Sequence, residues 1–397
     1  HVQTKQSTSV ALRIVRQGRI GYATATGLDG EALVNMAVET AQFGMKARFE
    51  LPALTPYTHV EVFDPAVKSV SIEKMTGLGE KLISRLRRHT PDLTCEASVT
   101  RSTVSVRIIN SRGGEASYNK SVFGLSVEGQ LIHDTDMLFV GDSQSQFHPI
   151  LEADTIAGAV LWQLEHAKER ALAPTRSLPV IFTPNGVASA LIMPLMVAFN
   201  GKTVLEGASP LGNKTGQTVF DENLQLRDDP TLTYQPGSRP CDDEGVPSQV
   251  TPLIENGVVA NFLYDLQTAA LASTRSTGNG RRSNGGLPAP SAAAFIIAPG
   301  KTTFDEMVKD TREGLVVEQL MGAGQGNILG GDFSGNVLLG FKVENGKIVG
   351  RVKDTMVSGN IYQLLKQIAA IGSESKWVGG FLNTPPLYFS SVSVASK

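Results

Sequence analysis

Two short windows of this 397-residue chain hold charge at a density that ordinary surface loops do not. One reads Arg239-Pro240-Cys241-Asp242-Asp243-Glu244-Gly245, the other Ser276-Thr277-Gly278-Asn279-Gly280-Arg281-Arg282, and strand-like segments separate and follow them. Three carboxylates, three arginines and several glycines are confined there. Glycine lets the backbone approach a ligand or a second chain closely, and the planar fork of arginine suits carboxylates. Any fold must place these windows where the charges are answered, either as a salt-bridge knot between two loops or as a binding site. Arg239, Asp242, Asp243, Glu244, Asn279, Arg281 and Arg282 are the candidate site residues on both readings. Asp242, Asp243, Arg281 and Arg282 are expected to lie together, joined by charge-assisted arginine–carboxylate hydrogen bonds. The neighbouring arginines hold the carboxylates ionised, which suits such a network better than general acid work.

Periodicity organises the rest of the chain. Residues 10–16 and 18–24 read as a hairpin, followed by amphipathic helices over 29–45 and 71–88. Strands are expected over 94–99, 104–110, 115–120 and 126–131. A helix follows over 152–172, with Ile156, Val160, Leu161 and Leu164 on its apolar face. Ala173-Pro174-Thr175-Arg176-Ser177 reads as a linker. Beyond it strands dominate, with helices over 263–272, 303–313 and 361–371. Glu255-Asn256-Gly257 and Glu344-Asn345-Gly346 each carry the tight-hairpin signal. The fold class is α+β with two domains, an N-terminal one of mixed α/β layers (1–172) and a larger strand-rich one (173–397).

Several chemistries find little support. With 36 basic and 38 acidic residues the chain has no bulk attraction to nucleic acid or anionic membrane. Its two cysteines do not make a disulfide framework and fit a reducing, cytoplasmic setting. The longest apolar run, residues 187–199, is too short and too broken by Pro194 to cross a membrane. None of the six histidines has the i, i+4 partner of a helical zinc site. His166 with Glu169, and His133 with Asp134 and Asp136, read as a wet helix face and a loop between strands. Cys95 reads as a small packed hydrophobe, and the acids after Cys241 would raise its thiol pKa rather than activate it. Gly322-Ala323-Gly324-Gln325-Gly326 lacks the Lys-Ser/Thr of a phosphate loop and suits close strand packing or a peptide laid along a sheet edge.

Both charged windows, taken with other segments in the same order, resemble the TldD/PmbA (TldD/TldE) family, described as modulators of DNA gyrase that form a metalloprotease. The other segments are Gly18-Arg19-Ile20-Gly21-Tyr22-Ala23, Leu320-Met321-Gly322-Ala323-Gly324, Gly331-Asp332-Phe333-Ser334, Val343-Glu344-Asn345-Gly346-Lys347-Ile348 and Thr384-Pro385-Pro386-Leu387. The resemblance implies two subunit types. The TldD type carries a zinc-binding His-Glu-x-x-x-His helix and a cysteine ligand near the C-terminus; the PmbA type lacks both. The family places that helix just after the strand that here is Leu178-Pro179-Val180-Ile181-Phe182. The run that follows, from Asn185 to Phe199, contains no His, Glu, Asp or Cys, and so none of the usual zinc ligands. The segment expected to supply the cysteine, residues 373–380, has none. The chain therefore resembles a PmbA/TldE-type subunit holding no cofactor, with zinc expected in a TldD-type paralogue. The resemblance also implies unfolded proteins or peptide precursors as substrates and a further segment ahead of His1; the charge balance argues against direct contact with DNA. Two alternatives stay open: a self-associating, homodimeric peptide-binding scaffold, and a hydrolase built on residues 242–244.

Overall fold

The apolar segment Leu178-Pro179-Val180-Ile181-Phe182 faces protein on both sides in the computed structural model, which describes every residue except Leu28, Leu54, Thr55, Thr58, Thr135, Asn284 and Gly285. It lies in the strand Arg176–Phe182, parallel to Glu313–Met321 and antiparallel to Leu387–Ser396. Leu387–Ser396 pairs with Thr355–Asn360, which pairs with Asp332–Glu344, which returns to Glu313–Met321. Five strands thus close into a ring, and closure removes the edges an open sheet would expose. Side chains alternate across a strand. Leu178, Val180 and Phe182 enter one core and Ile181 another.

The first of these cores lies between the ring, the run after Phe182 and a six-stranded sheet. That run folds as two short helices, Pro184–Ala190 and Ile192–Ala198. Thr183 caps the first by accepting the Gly186 N–H, and Pro184 occupies its opening turn, where a missing N–H is harmless. Both Asn-Gly pairs form the expected turns, with Asn256 and Asn345 at φ +49° and Gly257 and Gly346 at φ +76°.

The N-terminal half is built on a three-stranded antiparallel sheet of Thr94–Ile109, Glu115–His133 and Asp136–Gln146. Four expected strands are two here. The pairing runs without a bulge from Thr94↔Gln130 to Ile109↔Glu115. The polar stretch that reads as a break is an exposed part of one long strand. The two ends of the sheet use opposite faces. Phe123, Leu125 and Val127 pack under the helices Ile72–His89 and Asp154–His166, while Ala116, Tyr118 and Lys120 turn the other way. Those helices carry Leu82, Leu86, Ile156 and Val160 into the second core, which they share with Ile181, Val316, Phe341 and Val343 of the ring. The helix expected over 152–172 stops at His166. Three later helices are also shorter than their periodicity suggests: Leu266–Leu271, Phe304–Asp310 and Ile361–Leu364.

A hairpin, Val10–Arg16 with Arg19–Ala25, carries the helix Gly30–Ala41 on its face. Gly21 permits the contact, because a Cβ there would sit 2.0 Å from the Ala37 carbonyl oxygen. Among the described residues no helix is long and apolar enough to cross a membrane.

One ion cluster ties the two halves. Asp136 accepts from Arg351 Nη2 at 2.5 Å and pairs with Arg170 and Lys353, while Arg351 Nη1 donates to the Met137 carbonyl at 3.0 Å. Burial pushes the Asp136 carboxyl up, but hydrogen bonds from Arg351 and Arg170 outweigh it and hold it at about 2. Arg351 is buried. Arg351→Ala should therefore destabilise the chain by about 3 kcal/mol, and exposed Lys347→Ala by under about 0.5 kcal/mol. Urea denaturation of the two variants checks this.

Candidate functional site

The two charged windows meet, though not through the expected contacts. Asp242 is fully buried. Its Oδ1 accepts the backbone N–H groups of Glu244 and Val246 at 2.9 Å, and its Oδ2 accepts that of Gly280 at 2.8 Å. The Asp243 N–H donates to the Gly280 carbonyl at 2.9 Å, and Asp243 Oδ2 accepts the Arg282 N–H at 2.8 Å. Asp242, Asp243, Arg281 and Arg282 are together as expected. The carboxylates, however, organise peptide N–H groups and not guanidinium forks. A carboxylate that collects several backbone donors fixes a turn more tightly than a mobile arginine would. Gly280 is required here, since a Cβ would lie 2.5 Å from Glu244 Oε2.

Glu244 is the exception. Its Oε1 pairs with Arg13 from the N-terminal hairpin, 231 positions away, and its Oε2 accepts the Leu266 N–H at 2.7 Å. Asn279 Nδ2 donates to Asp228 Oδ2 at 2.6 Å, and Asp228 Oδ1 takes the N–H groups of Ala293 and Ala294 at 2.8 Å. Arg239, 9% exposed, donates from Nη2 to the Gly278 carbonyl at 3.2 Å. Arg281 is exposed and Arg282 half-buried. Asn284 and Gly285, just after Arg282, lie outside the described residues.

Burial dominates the electrostatics. It pushes the Asp242 carboxyl up to about 6 despite its backbone donors, and that of Glu244 up to about 7 against the pull of Arg13. Asp228 is raised for the same reason. Cys241, fully buried, is pushed up to about 12 by burial and then by Asp242, so it is inert as a nucleophile. Lys120, from the long sheet, goes the other way. Burial and then Arg239 and Arg281 bring it down to about 8.

A second locus lies beyond Phe182. The first turn of the helix Pro184–Ala190 and residues 373–376, the two places where the family resemblance locates zinc ligands, line one cleft of about 310 Å³. An adjoining hollow of about 520 Å³ shares Gln163, Asn185 and Glu318 with it. Asn185 Nδ2 donates to Glu318 Oε2 at 3.2 Å, and Lys376 pairs with Asp142. Burial raises the Glu318 carboxyl against the opposing effects of Asn185 and Lys376. Val187, Ala190, Leu191, Ile192 and Leu195 are buried, as expected of an apolar run, whereas Asn185, Ala188 and Ser189 wall the adjoining hollow. The donors do not fit zinc: the run offers no ligand, and among the described residues no three of His, Cys, Asp and Glu converge on one point.

Arg13, Lys120, Asp142, Asn185, Glu318 and Lys376 escape sequence reading because each stands alone in its segment. Lys120 left one signal, a lysine in strand register with inward Ala116 and Tyr118.

A family model described as the PmbA/TldA metallopeptidase C-terminal domain matches residues 175–396. An uncharacterized protein of Methanocaldococcus jannaschii is 28% identical over 370 residues, 92% of this chain and 84% of that one. A metalloprotease TldD homolog of Buchnera aphidicola is 34% identical over 172 residues, 43% of this chain and 35% of that relative. The crystal structure of TldE from Thermococcus kodakarensis has the same fold, with a TM-score of 0.87 at 23% identity over 98% of this chain and 90% of that one.

Because the folded-state pKa of Glu244 is raised, its proton stabilises the fold fully below the unfolded value, and that contribution is lost as pH rises through about 7. Glu244→Gln keeps an acceptor for Leu266 and removes the titration. Between pH 5 and pH 8 the wild type should lose on the order of 2–3 kcal/mol more stability than the variant. Denaturant melts at the two pH values read the difference, and parallel losses would contradict it.

Proposed function

This chain belongs to the PmbA/TldD metallopeptidase family, and from that premise we propose that it is a PmbA/TldE-type subunit that holds no catalytic metal. It works by completing a zinc peptidase with a TldD-type paralogue. The observation that carries this reading is the run from Asn185 to Phe199, which follows the strand after which the resemblance places a zinc helix and which has none of its ligands. The segment at 373–380 that would add a cysteine faces the same cleft through Ser373, Glu374, Ser375 and Lys376. An amide, a carboxyl whose pKa burial raises and an ion-paired lysine can bind a polypeptide but cannot activate water as a Lewis acid would.

The substrates on this reading are extended chains, unfolded proteins or peptide precursors. Support comes from the two adjoining hollows, of about 310 and 520 Å³, which share Gln163, Asn185 and Glu318. The unpaired state of Cys95 and Cys241 suits work in the cytoplasm. The division into two domains near residue 173 belongs to the same reading. The family match from residue 175 supports it, even though the second core is built from both sides of that point.

Purified chain should hold no stoichiometric zinc and show no chelator-sensitive peptidase activity. It should form a stable complex with its cognate TldD-type protein in light scattering over a dilution series. One zinc per chain by elemental analysis after tag removal would overturn the metal-free role. A chain that stays monomeric with the paralogue present would overturn the subunit role.

A further inference from the structure

The cations around the two windows outnumber the anions available to them. Lys120, Arg239, Arg281 and Arg282 have, among the described residues, no carboxylate in ion-pair range, because Asp242 and Asp243 are turned to backbone N–H groups and Glu244 to Arg13. Arg239 is nine-tenths buried, yet its Nε has no partner; the same holds for Arg282 Nη2 and for the hydroxyl of fully buried Ser238. Lys120 Nζ lies 4.5 Å from the centre of the Phe147 ring and 3.4 Å from the Ser238 carbonyl oxygen, its one hydrogen-bond acceptor there. Of the charges that act on Lys120, Asp243 opposes Arg239 and Arg281 and is outweighed by them. Positive charge removed from water and left unpaired is a strained arrangement that an incoming anion relieves.

The cluster is not sealed. Arg281 is exposed, and a hollow of about 340 Å³ reaches Asn119 and Pro240, the chain neighbours of Lys120 and Arg239; Tyr57, Tyr118 and the His59–Glu61 pair also line it. The long strand offers backbone beside that hollow, for Asp136–Gln146 pairs with it only from Phe123 onward. Upstream of Ser121, whose N–H is taken by the Val62 carbonyl, residues 60–63 line the far side of the hollow, and no strand of the described elements pairs with residues 115–119 on that side. An extended peptide can lie along such an edge.

We propose that Lys120, Arg239 and Arg281 form a binding site for the terminal carboxylate of an extended peptide lying in the hollow beside Tyr118 and Pro240. The oxyanion chemistry follows from the unpartnered donors alone; a peptide as its source rests on the peptide-handling role argued above. Arginine's fork and a desolvated ammonium are suited to a carboxylate. The site lies in a different hollow from the cleft at Asn185 and Glu318.

The test uses the full chain and a fluorescein-labelled hexa-alanine peptide, as free acid and as C-terminal amide, followed by anisotropy, with inorganic phosphate as a second probe. The free acid should bind at least tenfold more tightly than the amide, and phosphate should compete with it. Arg281→Ala, at an exposed position that leaves the fold intact, should abolish the preference, and Lys120→Gln should reduce it. Equal affinity for acid and amide, or a preference unchanged in Arg281→Ala, overturns the proposal. Raised thermal stability with phosphate, lost in Arg281→Ala, together with no peptide binding also overturns it by assigning the site to a free oxyanion. Zinc content and paralogue binding, which decide the subunit role, are unaffected by any of these outcomes.

Discussion

The alternation of one buried strand sets the terms for the rest of the molecule. In Arg176–Phe182, odd and even positions answer to different cores, Leu178, Val180 and Phe182 to one and Ile181 to the other. Burying a side chain of this size contributes about 1.5–3 kcal/mol. A slip of one residue would exchange every occupant between two packed interiors at once. The strand is held to its register from both sides, by Glu313–Met321 and Leu387–Ser396. Everything placed at its C-terminal end inherits that accuracy: the cap at Thr183, the amide of Asn185 and the cleft that joins them to Lys376.

At the other locus the folded chain spends its acids on architecture. Asp242 and Asp243 hold two loops together by gathering peptide donors, which leaves the loops' arginines facing the long sheet without counter-charges. Glu244 extends the same construction to the N-terminal hairpin. The two halves of the chain meet through a shared apolar core, the Asp136 ion cluster, the Lys376–Asp142 pair and this polar knot, among other contacts.

Fold class and family were legible in the sequence because they rest on local signals: periodic strands, Asn-Gly turns and ordered motifs. The gathering of the charged windows was legible too, but the identity of their bonds was not. Side-chain charge suggests arginine–carboxylate pairing, while a tight turn presents several N–H groups at shorter reach, and the turn wins at Asp242. The first long strand was divided in the reading at residues 100–103, which are polar, and polarity on a strand exposed at that point says nothing about its continuity. Asp136 was read as part of a loop near His133. Its ligands Arg170, Arg351 and Lys353 are far along the chain, and no spacing rule connects them. Glu318, Asp142 and Lys376 were invisible for the same reason.

The ring of strands also sets an order of events on the ribosome. Leu387–Ser396 sits between Arg176–Phe182 and Thr355–Asn360. Until it has been synthesised, both neighbours present open edges, and Arg176–Phe182 has waited through some two hundred intervening residues. Long-range pairing of this kind is slow and leaves strands exposed meanwhile. A nascent chain stalled before Leu387 would hold most of its apolar strands with the ring unclosed. Such a chain is a natural client for the chaperones and degradative proteases that patrol incomplete proteins, because only its last strand closes the ring.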